Sequence, residues 1–247
     1  MHALKSLMII LAGFLAGGKT ADAACRHIAP AGGDYTICSF DPASTEIRTY
    51  NKDRRGVPYR SFKALADDLR FDRETMVFAV NGGMYHADLS PVGLFTEVGI
   101  EKQPISTKAG WGNFHLLPNG VFFVVPGKAG VLETGAFLKA GLKPIYATQS
   151  GPMLVIDGVL HPRFLADSDS LKIRNGVGID RDGIVHFVVS NGPVRFYDFA
   201  VLFRDRLDCP NALFLDGSIS SLFAPDIGRH DRIFPMGPII AVVERRR

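Results

Sequence analysis

The sequence predicts an α+β fold, with a single domain built on a mixed, largely antiparallel β-sheet core and a few helices. Many short apolar runs are rich in Val, Ile, Phe or Tyr and end at Gly, Pro, Asn or Asp, which is typical of strands. Only two or three segments space their apolar residues as a helix does. The 247 residues contain no internal repeat and no linker-like segment, so we expect one domain.

The apolar runs predict nine strands and three helices. The expected strands are Thr45–Tyr50, Met76–Val80, Val92–Glu97, Gly120–Val125, Met153–Ile156, Gly176–Ile179, Ile184–Val189, Ala212–Leu215 and Ile239–Val243. The expected helices are Ser61–Leu69, Thr134–Ala140 and Asp198–Leu207. The strand order does not follow from these patterns.

Residues 1–23 have the features of a cleaved signal peptide. Lys5 precedes an apolar block of about ten residues, and small residues stand at Ala21 and Ala23 before the expected cut. A helix that crosses a bilayer needs roughly 20 apolar residues, so we expect no stable membrane insertion. The prediction is an exported protein, periplasmic or secreted, whose mature domain spans residues 24–247.

The net charge and the cysteines limit the kinds of function and of site that the protein can have. A net charge of +3 with both signs interspersed gives no electrostatic argument for nucleic acid, and it leaves the oligomeric state open. Cys25 and Cys38 flank a Gly-Gly-Asp segment, and a hairpin there would bring them together as a disulfide. Cys209 precedes a proline and an apolar run, which indicates a buried thiol. No Cys or His spacing resembles a zinc site.

Polar turns at the ends of apolar strands carry the functional argument. In the first, Asn81 and Gly82 follow a strand and His86 stands nearby, so the backbone can approach a ligand closely. A plain hairpin turn explains these residues equally well. In the second turn, Gln149 and Ser150 precede Gly151 and offer the donors and acceptors that sugar hydroxyls require.

The third segment contains two cations, Lys172 and Arg174. In an extended segment they share one face, which suits a phosphate, although surface charges on an edge strand are the alternative.

The fourth turn begins at Asp216, where an apolar strand ends. Its amides and hydroxyls suit an anion or orient a carboxylate, while a helix N-cap is the alternative. The turn comprises Gly217, Ser218, Ser220 and Ser221.

A fifth cluster places Trp111, the single Trp, between Gly110 and Gly112. It is either an aromatic surface for a sugar ring or a core residue.

The order of these motifs resembles the phosphodiester glycosidase family. The motifs are Asn-Gly-Gly-Met-Tyr at 81–85, Ser-Gly-Pro-Met-Leu-Val-x-Asp-Gly at 150–158, Arg-Asn-Gly-Val-Gly-Ile at 174–179 and Asn-Ala-Leu-Phe-Leu-Asp-Gly-Ser-x-Ser-Ser at 211–221. The resemblance implies a hydrolase that cleaves a sugar 1-phosphodiester at the anomeric carbon and releases a free sugar and a phosphomonoester. The family usually reads Asp-Gly-Gly-Gly-Ser in the fourth motif, where this chain has Ser218 and Ile219 after Gly217.

Residue chemistry assigns expected roles within the reaction that the resemblance implies. We expect Asp216 to act as nucleophile, base or charge stabiliser near the anomeric carbon. Arg174, with Lys172, would stabilise the charge on the leaving phosphate. His86 is the expected general acid or base because the ordinary pKa of imidazole suits neutral pH. Residues expected to position the sugar or to shape its site are Asn81, Gly82, Gln149, Ser150, Gly151, Gly217, Ser218, Ser220 and Ser221.

Several points stay open at this stage. Glycosidases generally pair two carboxylates, and the second one is Asp88, Glu97, Glu133 or Asp180. No cofactor is required, although Asp216 with nearby hydroxyls could bind Ca²⁺. Two other functions remain: an envelope module that binds a phosphorylated glycan without turnover, and a phosphodiesterase that cleaves the P–O bond.

Overall fold

The structure, a computed structural model, describes residues 24–217, 219–232 and 234–245. Their strands form three sheets in which every strand pairing is antiparallel. Three short α-helices cover the sheets. The predicted α+β class with one antiparallel-rich domain is confirmed.

The elements have the following bounds. In chain order the strands are β1 (Cys25–Ile28), β2 (Tyr35–Phe40), β3 (Glu46–Tyr50), β4 (Glu74–Asn81), β5 (Phe95–Glu97), β6 (Ile100–Gln103), β7 (Gly120–Val125), β8 (Lys128–Glu133), β9 (Tyr146–Ser150), β10 (Met153–Ile156), β11 (Val159–Leu160), β12 (Asn175–Ile179), β13 (Val185–Ser190), β14 (Asn211–Asp216), β15 (Leu222–Ala224), β16 (Arg229–His230) and β17 (Ile239–Arg245). The helices are α1 (Phe62–Phe71), α2 (Thr134–Ala140) and α3 (Phe196–Val201), which continues as a π-helix at Leu202–Arg206.

The strand order mixes distant parts of the chain. The seven-stranded sheet has the order β1-β2-β13-β12-β14-β10-β11. The second sheet, called the β4 sheet, has the order β16-β15-β4-β17-β3, and the third, the β7 sheet, has the order β6-β5-β9-β7-β8. Strands that end in the polar turns therefore lie in three different sheets.

One apolar core joins the three sheets. The ring of Phe187 on β13 lies 5.1 Å from that of Phe78 on β4 and 5.7 Å from that of Phe122 on β7, measured between centroids. All three rings are buried, and each belongs to a different sheet. Aromatic contacts of this kind fix the relative positions of the sheets and hence of the turns at their ends.

The glycines of β12 make room for α3 and its π-helical extension. A Cβ at Gly178 would lie 2.6 Å from Phe203 Cδ1 in the π-helix, and one at Gly176 would lie 3.1 Å from Phe199 Cε1 in α3 and 2.9 Å from the Leu213 carbonyl oxygen on β14. Both positions therefore require glycine for close packing. This accounts for two glycines of the third motif without any ligand.

The sequence-based bounds hold best for isolated apolar runs. The predicted segments Gly120–Val125, Met153–Ile156 and Thr134–Ala140 coincide with β7, β10 and α2. By contrast, the predicted strand Val92–Glu97 shortens to β5, because the Val92 amide bonds instead to the Met84 carbonyl in a loop. The expected helix at Asp198–Leu207 begins two residues earlier and ends as a π-helix.

The predicted signal peptide, residues 1–23, lies outside the described residues. Within the described part, none of the helices has the length and apolar character needed to span a bilayer.

The expected disulfide is present between Cys25 and Cys38, which face each other on β1 and β2. Cys209 is a buried thiol, and burial raises its pKa. Such a bridge is typical of proteins from oxidising compartments.

We expect the double variant Cys25→Ser/Cys38→Ser to lower the free energy of unfolding by about 3 kcal/mol, because a loop with a sequence separation of 13 is no longer closed in the unfolded chain. Urea denaturation measures the change. Thiol titration of the unfolded, unreduced wild type should find one reactive cysteine, and three would contradict the bridge.

Candidate functional site

A cavity of about 590 Å³ lies where the polar turns meet. Its wall includes the turn after β4 with His86, the segment 111–115, the cations Lys172 and Arg174, and the turn that begins at Asp216. This volume falls in the range of small-molecule sites. The structure thus brings together five of the predicted site residues: His86, Lys172, Arg174, Asp216 and Gly217.

Sheet topology explains the convergence of the third and fourth motifs. β12 runs antiparallel to β14, so the beginning of β12 lies beside the end of β14. Asn175 and Asp216 are partners in this register, with a bulge after Asn175. Arg174 precedes Asn175 and reaches the same cavity.

The side chain of Asn175 ties three motifs together. Its Oδ1 accepts a hydrogen bond from the Asp216 amide at 2.6 Å. Its Nδ2 donates to the carbonyl oxygen of Asn81 at 2.9 Å and to Asn81 Oδ1 at 3.0 Å. Asn175 is fully buried, so these bonds act at low dielectric. The sequence shows Asn175 as part of a motif but gives no sign of this role.

Asn81 is held in place by the network and does not line the cavity. Its Oδ1 accepts from the Ser221 amide at 2.9 Å as well as from Asn175. Its Nδ2 is buried and has no hydrogen-bond partner among the described residues. A buried amide donor left unbonded costs about 1–3 kcal/mol.

The glycines of the first motif serve close packing between chain segments. The Gly82 amide donates to the Pro238 carbonyl at 2.7 Å. A Cβ at Gly83 would lie 2.4 Å from the Gln149 carbonyl oxygen. These glycines let the backbone approach other backbone, and neither lines the cavity.

Asp216 is a desolvated carboxyl group at the cavity wall. Burial raises its pKa to about 6, and the hydrogen bond from the Gly217 amide opposes this shift in part. No Lys, Arg or His of the described residues forms an ion pair with it. Burial, together with the charge of Asp216, raises the pKa of Tyr85 to about 12. Shifted carboxyl groups in a cleft are typical of functional sites.

Arg174 is a buried cation without a carboxylate partner in the described structure. It is 1% exposed, and its Nε and Nη2 donate to the carbonyls of Val194 and Ser170 at 2.9 and 3.0 Å. Its guanidinium carbon lies 3.5 Å from the centroid of Phe196, a cation–π contact. Burial lowers the pKa of Arg174 to about 10, so it stays protonated at neutral pH.

Lys172 differs from Arg174 in its freedom to move. It is exposed, and its backbone forms an isolated bridge with Val194, the residue whose carbonyl also accepts from Arg174. Both cations line the cavity, as the alternation of an extended segment predicts.

Two imidazoles and an aromatic loop complete the wall. His86 is exposed on the turn after β4. Trp111, Phe114 and His115 line the cavity from the segment 111–115. The His115 Nδ1 atom lies 3.0 Å from the Lys108 carbonyl oxygen. His115 belongs to none of the sequence motifs.

Gln149, Ser150 and Gly151 lie outside the cavity wall. Ser150 Oγ donates to the Leu215 carbonyl at 2.7 Å, which links β9 to β14. Gln149 Oε1 accepts from the amides of Leu94 and Ser106, and its Nε2 donates to the Ser106 carbonyl and to a threonine hydroxyl. A Cβ at Gly151 would lie 2.6 Å from Asn119 Cβ. These contacts give the second motif a structural role.

The serines after Asp216 bond within their own turn. Ser220 Oγ donates to the Gly217 carbonyl at 2.7 Å, and Ser221 Oγ donates to the Ile219 carbonyl at 2.9 Å. Ser218 lies outside the described residues.

The four candidates for a second carboxylate lie elsewhere. Asp88 bonds to Ser90, Glu97 accepts from the Asn51 amide, Glu133 caps α2, and Asp180 bonds to His186. Among the described residues that line the cavity, Asp216 is the one carboxylate. No group of three His, Cys, Asp or Glu side chains in the described ranges is placed to hold a metal ion.

Comparison with known proteins shows the family. The sequence profile of the phosphodiester glycosidase family matches residues 74–233, which is more than half of the chain. The uncharacterized protein YigE of Escherichia coli strain K12 is 36% identical over 189 residues, or 76% of this chain and 72% of that protein. The chain belongs to the phosphodiester glycosidase family, as the order of its motifs suggests.

Two solved structures share the fold. The catalytic domain of zebrafish N-acetylglucosamine-1-phosphodiester alpha-N-acetylglucosaminidase, auto-inhibited by its pro-peptide, superposes with a TM-score of 0.59 at 14% identity, covering 90% of this chain and 82% of that one. A hypothetical protein from Synechocystis gives 0.56 at 16% identity. The match covers 90% of this chain but only 61% of the Synechocystis chain. At these identities the likeness shows a common fold.

The raised pKa of Asp216 predicts a stability change that depends on pH. The ordinary carboxyl pKa of 3.8 rises to about 6 in the folded state, so stability present below pH 3.8 is lost as the pH rises through 6. We expect Asp216→Asn to be more stable than the wild type at pH 8, by about 2–3 kcal/mol. The advantage should shrink near pH 4. Denaturant unfolding at both pH values measures it, and an equal difference at both would show that Asp216 is not desolvated.

Proposed function

We propose that the protein is an exported hydrolase that cleaves a sugar 1-phosphodiester at the anomeric carbon, releasing a free sugar and a phosphomonoester. The observation that carries the proposal is one cavity lined by a desolvated carboxyl, Asp216, and by a buried cation without a carboxylate partner in the described part, Arg174. Family membership supports the same reaction class.

The cations form the phosphate half of the site. A buried guanidinium that lacks a carboxylate is expensive unless a ligand supplies the negative charge. Two carbonyl oxygens and the Phe196 ring hold the Arg174 guanidinium in one position at the cavity wall, before any ligand binds. Lys172 adds a second cation at the same wall. Together they suit a phosphodiester, whose leaving oxygen gains charge as the bond breaks.

Asp216 forms the sugar half of the site. With a pKa of about 6 it is mostly ionised at neutral pH, so it can accept a proton or stabilise positive charge on the ring. In the proposed reaction the C1–O bond breaks and its electrons go to the phosphate oxygen. Water bonds to C1, and its proton passes to Asp216. The leaving phosphate, as a monoester, has a second pKa of about 6, so it departs without strong proton donation.

The lack of a second carboxylate on the described wall fits this division of roles. A sugar alcohol needs a strong general acid to leave, which is why glycosidases pair carboxylates. A phosphate leaving group beside two cations does not need a strong general acid. Asp216 takes the proton of the water, and His86 is the proposed general acid that can protonate the released phosphate; His115 lines the same wall as an alternative. The disulfide supports export, because such bridges persist in oxidising compartments.

Hydrolysis in ¹⁸O-labelled water separates the proposal from its rivals. A suitable first substrate is a phosphodiester of N-acetylglucosamine 1-phosphate, the linkage named for the zebrafish enzyme. Label in the sugar supports cleavage at the anomeric carbon, whereas label in the phosphate shows P–O cleavage. Binding without turnover across a panel of sugar 1-phosphodiesters would instead identify a binding module.

For Asp216→Asn we expect kcat to fall at least a hundredfold while substrate still binds, because the amide cannot accept the proton. In the wild type kcat/KM should rise with pH through about 6, as Asp216 loses its proton. Steady-state kinetics from pH 4 to 8 measures both. A rate that falls across this range would mean that Asp216 acts in its protonated form.

For Lys172→Ala we expect a roughly tenfold loss of kcat/KM on sugar 1-phosphodiesters and little change on an aryl glycoside of the same sugar, because only the first substrate has a phosphate leaving group. Arg174→Gln should lose about a hundredfold on phosphodiesters alone. Lys172 is exposed, so its replacement leaves the core intact. Equal losses on both substrates would remove the phosphate assignment.

A further inference from the structure

Trp111 has an unusual position for the single Trp of the chain. It is 98% exposed, so almost none of the described fold packs against it, yet it lines the cavity of Asp216. A Trp side chain offers a large apolar surface, and leaving it in water forgoes the stabilisation that burial would give. Trp111 is therefore not a core residue, and its indole is free to contact a ligand in the cavity.

The loop that carries Trp111 is anchored on both sides of its exposed part. Gln149 binds the Ser106 amide through Oε1 and the Ser106 carbonyl through Nε2, both at 2.8 Å. His115 Nδ1 lies 3.0 Å from the Lys108 carbonyl oxygen. Between Ser106 and Phe114, residues 107–113 are exposed.

The two flanking glycines shape this stretch. Gly112 has a φ of +86°, a conformation that favours glycine. A Cβ at Gly110 would lie 2.5 Å from His115 Nε2, so the backbone runs directly against the imidazole. The backbone is thus built to place the indole at the rim and not to bury it.

The cavity wall has two chemically different parts. The segment 111–115 presents Trp111 and Phe114, while the segment 172–174 and the turn at Asp216 present charges. A sugar phosphodiester has the same division, since its ring carries an apolar C–H face and its phosphate is anionic. A ring stacked on an indole matches the first part, and Arg174 matches the second.

We propose that Trp111 is the surface on which the sugar ring of the substrate stacks at the mouth of the Asp216 cavity. This inference rests on the proposed function for the identity of the ligand. It gives Trp111 a role in sugar binding and gives Gln149 and His115 the role of positioning its loop. Inorganic phosphate alone would leave the indole in water.

The single Trp makes the test direct, because protein fluorescence reports on Trp111 alone. In Asp216→Asn, used to prevent turnover, we expect N-acetylglucosamine and N-acetylglucosamine 1-phosphate to shift the emission to shorter wavelength and to reduce acrylamide quenching. Inorganic phosphate should compete with the sugar phosphate without either change. Emission and quenching that stay constant with every sugar, up to millimolar concentrations, would overturn the proposal.

Variants give a second readout by calorimetry. Trp111→Ala should weaken binding of the sugar phosphate about tenfold, whereas Trp111→Phe, which keeps an aromatic face, should change it less than threefold. Phe71→Ala is the matched control, since Phe71 is 83% exposed and does not line the cavity. Unchanged affinity in Trp111→Ala would overturn stacking.

The two proposals fail in distinguishable ways. A sugar-dependent shift in a protein that hydrolyses no phosphodiester would keep the role of Trp111 and reject the enzyme. Hydrolysis with a KM that is the same in Trp111→Ala would keep the enzyme and reject the role of Trp111.

Discussion

The buried amide of Asn175 is the interaction on which the geometry of the site depends. It bonds to the Asp216 backbone on one side and to Asn81 on the other, and thereby joins the end of β14 in the seven-stranded sheet to the end of β4 in a different sheet. Ser150 Oγ adds a link from the β7 sheet to Leu215. The side chains of Asn81, Ser150 and Asn175 are buried, so a shift of one strand end would leave a buried polar group unpaired.

The aromatic core positions the three sheets, and the polar hydrogen bonds then connect the ends of their strands. Phe78, Phe122 and Phe187 fix the three sheets relative to one another. The strand ends then meet at one place, and the amide and hydroxyl bonds adjust their final register. Many of the polar residues of the family motifs are used in this way, and only a few side chains remain for the ligand.

The sequence predicted the fold class better than it predicted the contacts of each polar residue. Apolar runs such as Gly120–Val125 reveal their own strands because burial imposes the pattern locally. The partners of Gln149 and Ser150 lie at Ser106 and Leu215, far away in sequence, and no local pattern encodes them. In the third motif, Gly178 makes room for Phe203, a packing contact that the sequence does not reveal.

For Trp111, the usual tendency of the residue type and the observed position differ. A lone Trp is more often a core residue, so composition favours burial, and only the structure shows that it is exposed at a cavity. Its flanking glycines carried the signal, since two glycines beside an aromatic residue are poor neighbours for a strand or helix. Likewise, Asn175 bonds to Asn81 and Asp216, which lie 94 and 41 positions away along the chain, and no local pattern marks these contacts.

The contrast between Arg174 and Lys172 shows how the site divides rigidity from adaptability. Arg174 is desolvated, stacked on Phe196 and bonded to two carbonyls, so its charge needs little reorganisation when an anion arrives. Phe196 in turn stacks on Phe164 with ring centroids 4.9 Å apart, which holds the guanidinium plane in place. Lys172 is exposed, and in the proposed complex its flexible side chain would follow the group that the phosphate carries. In the proposed reaction, a fixed charge at the leaving oxygen with a mobile charge beside it would recognise the sugar phosphate closely and tolerate variation beyond it.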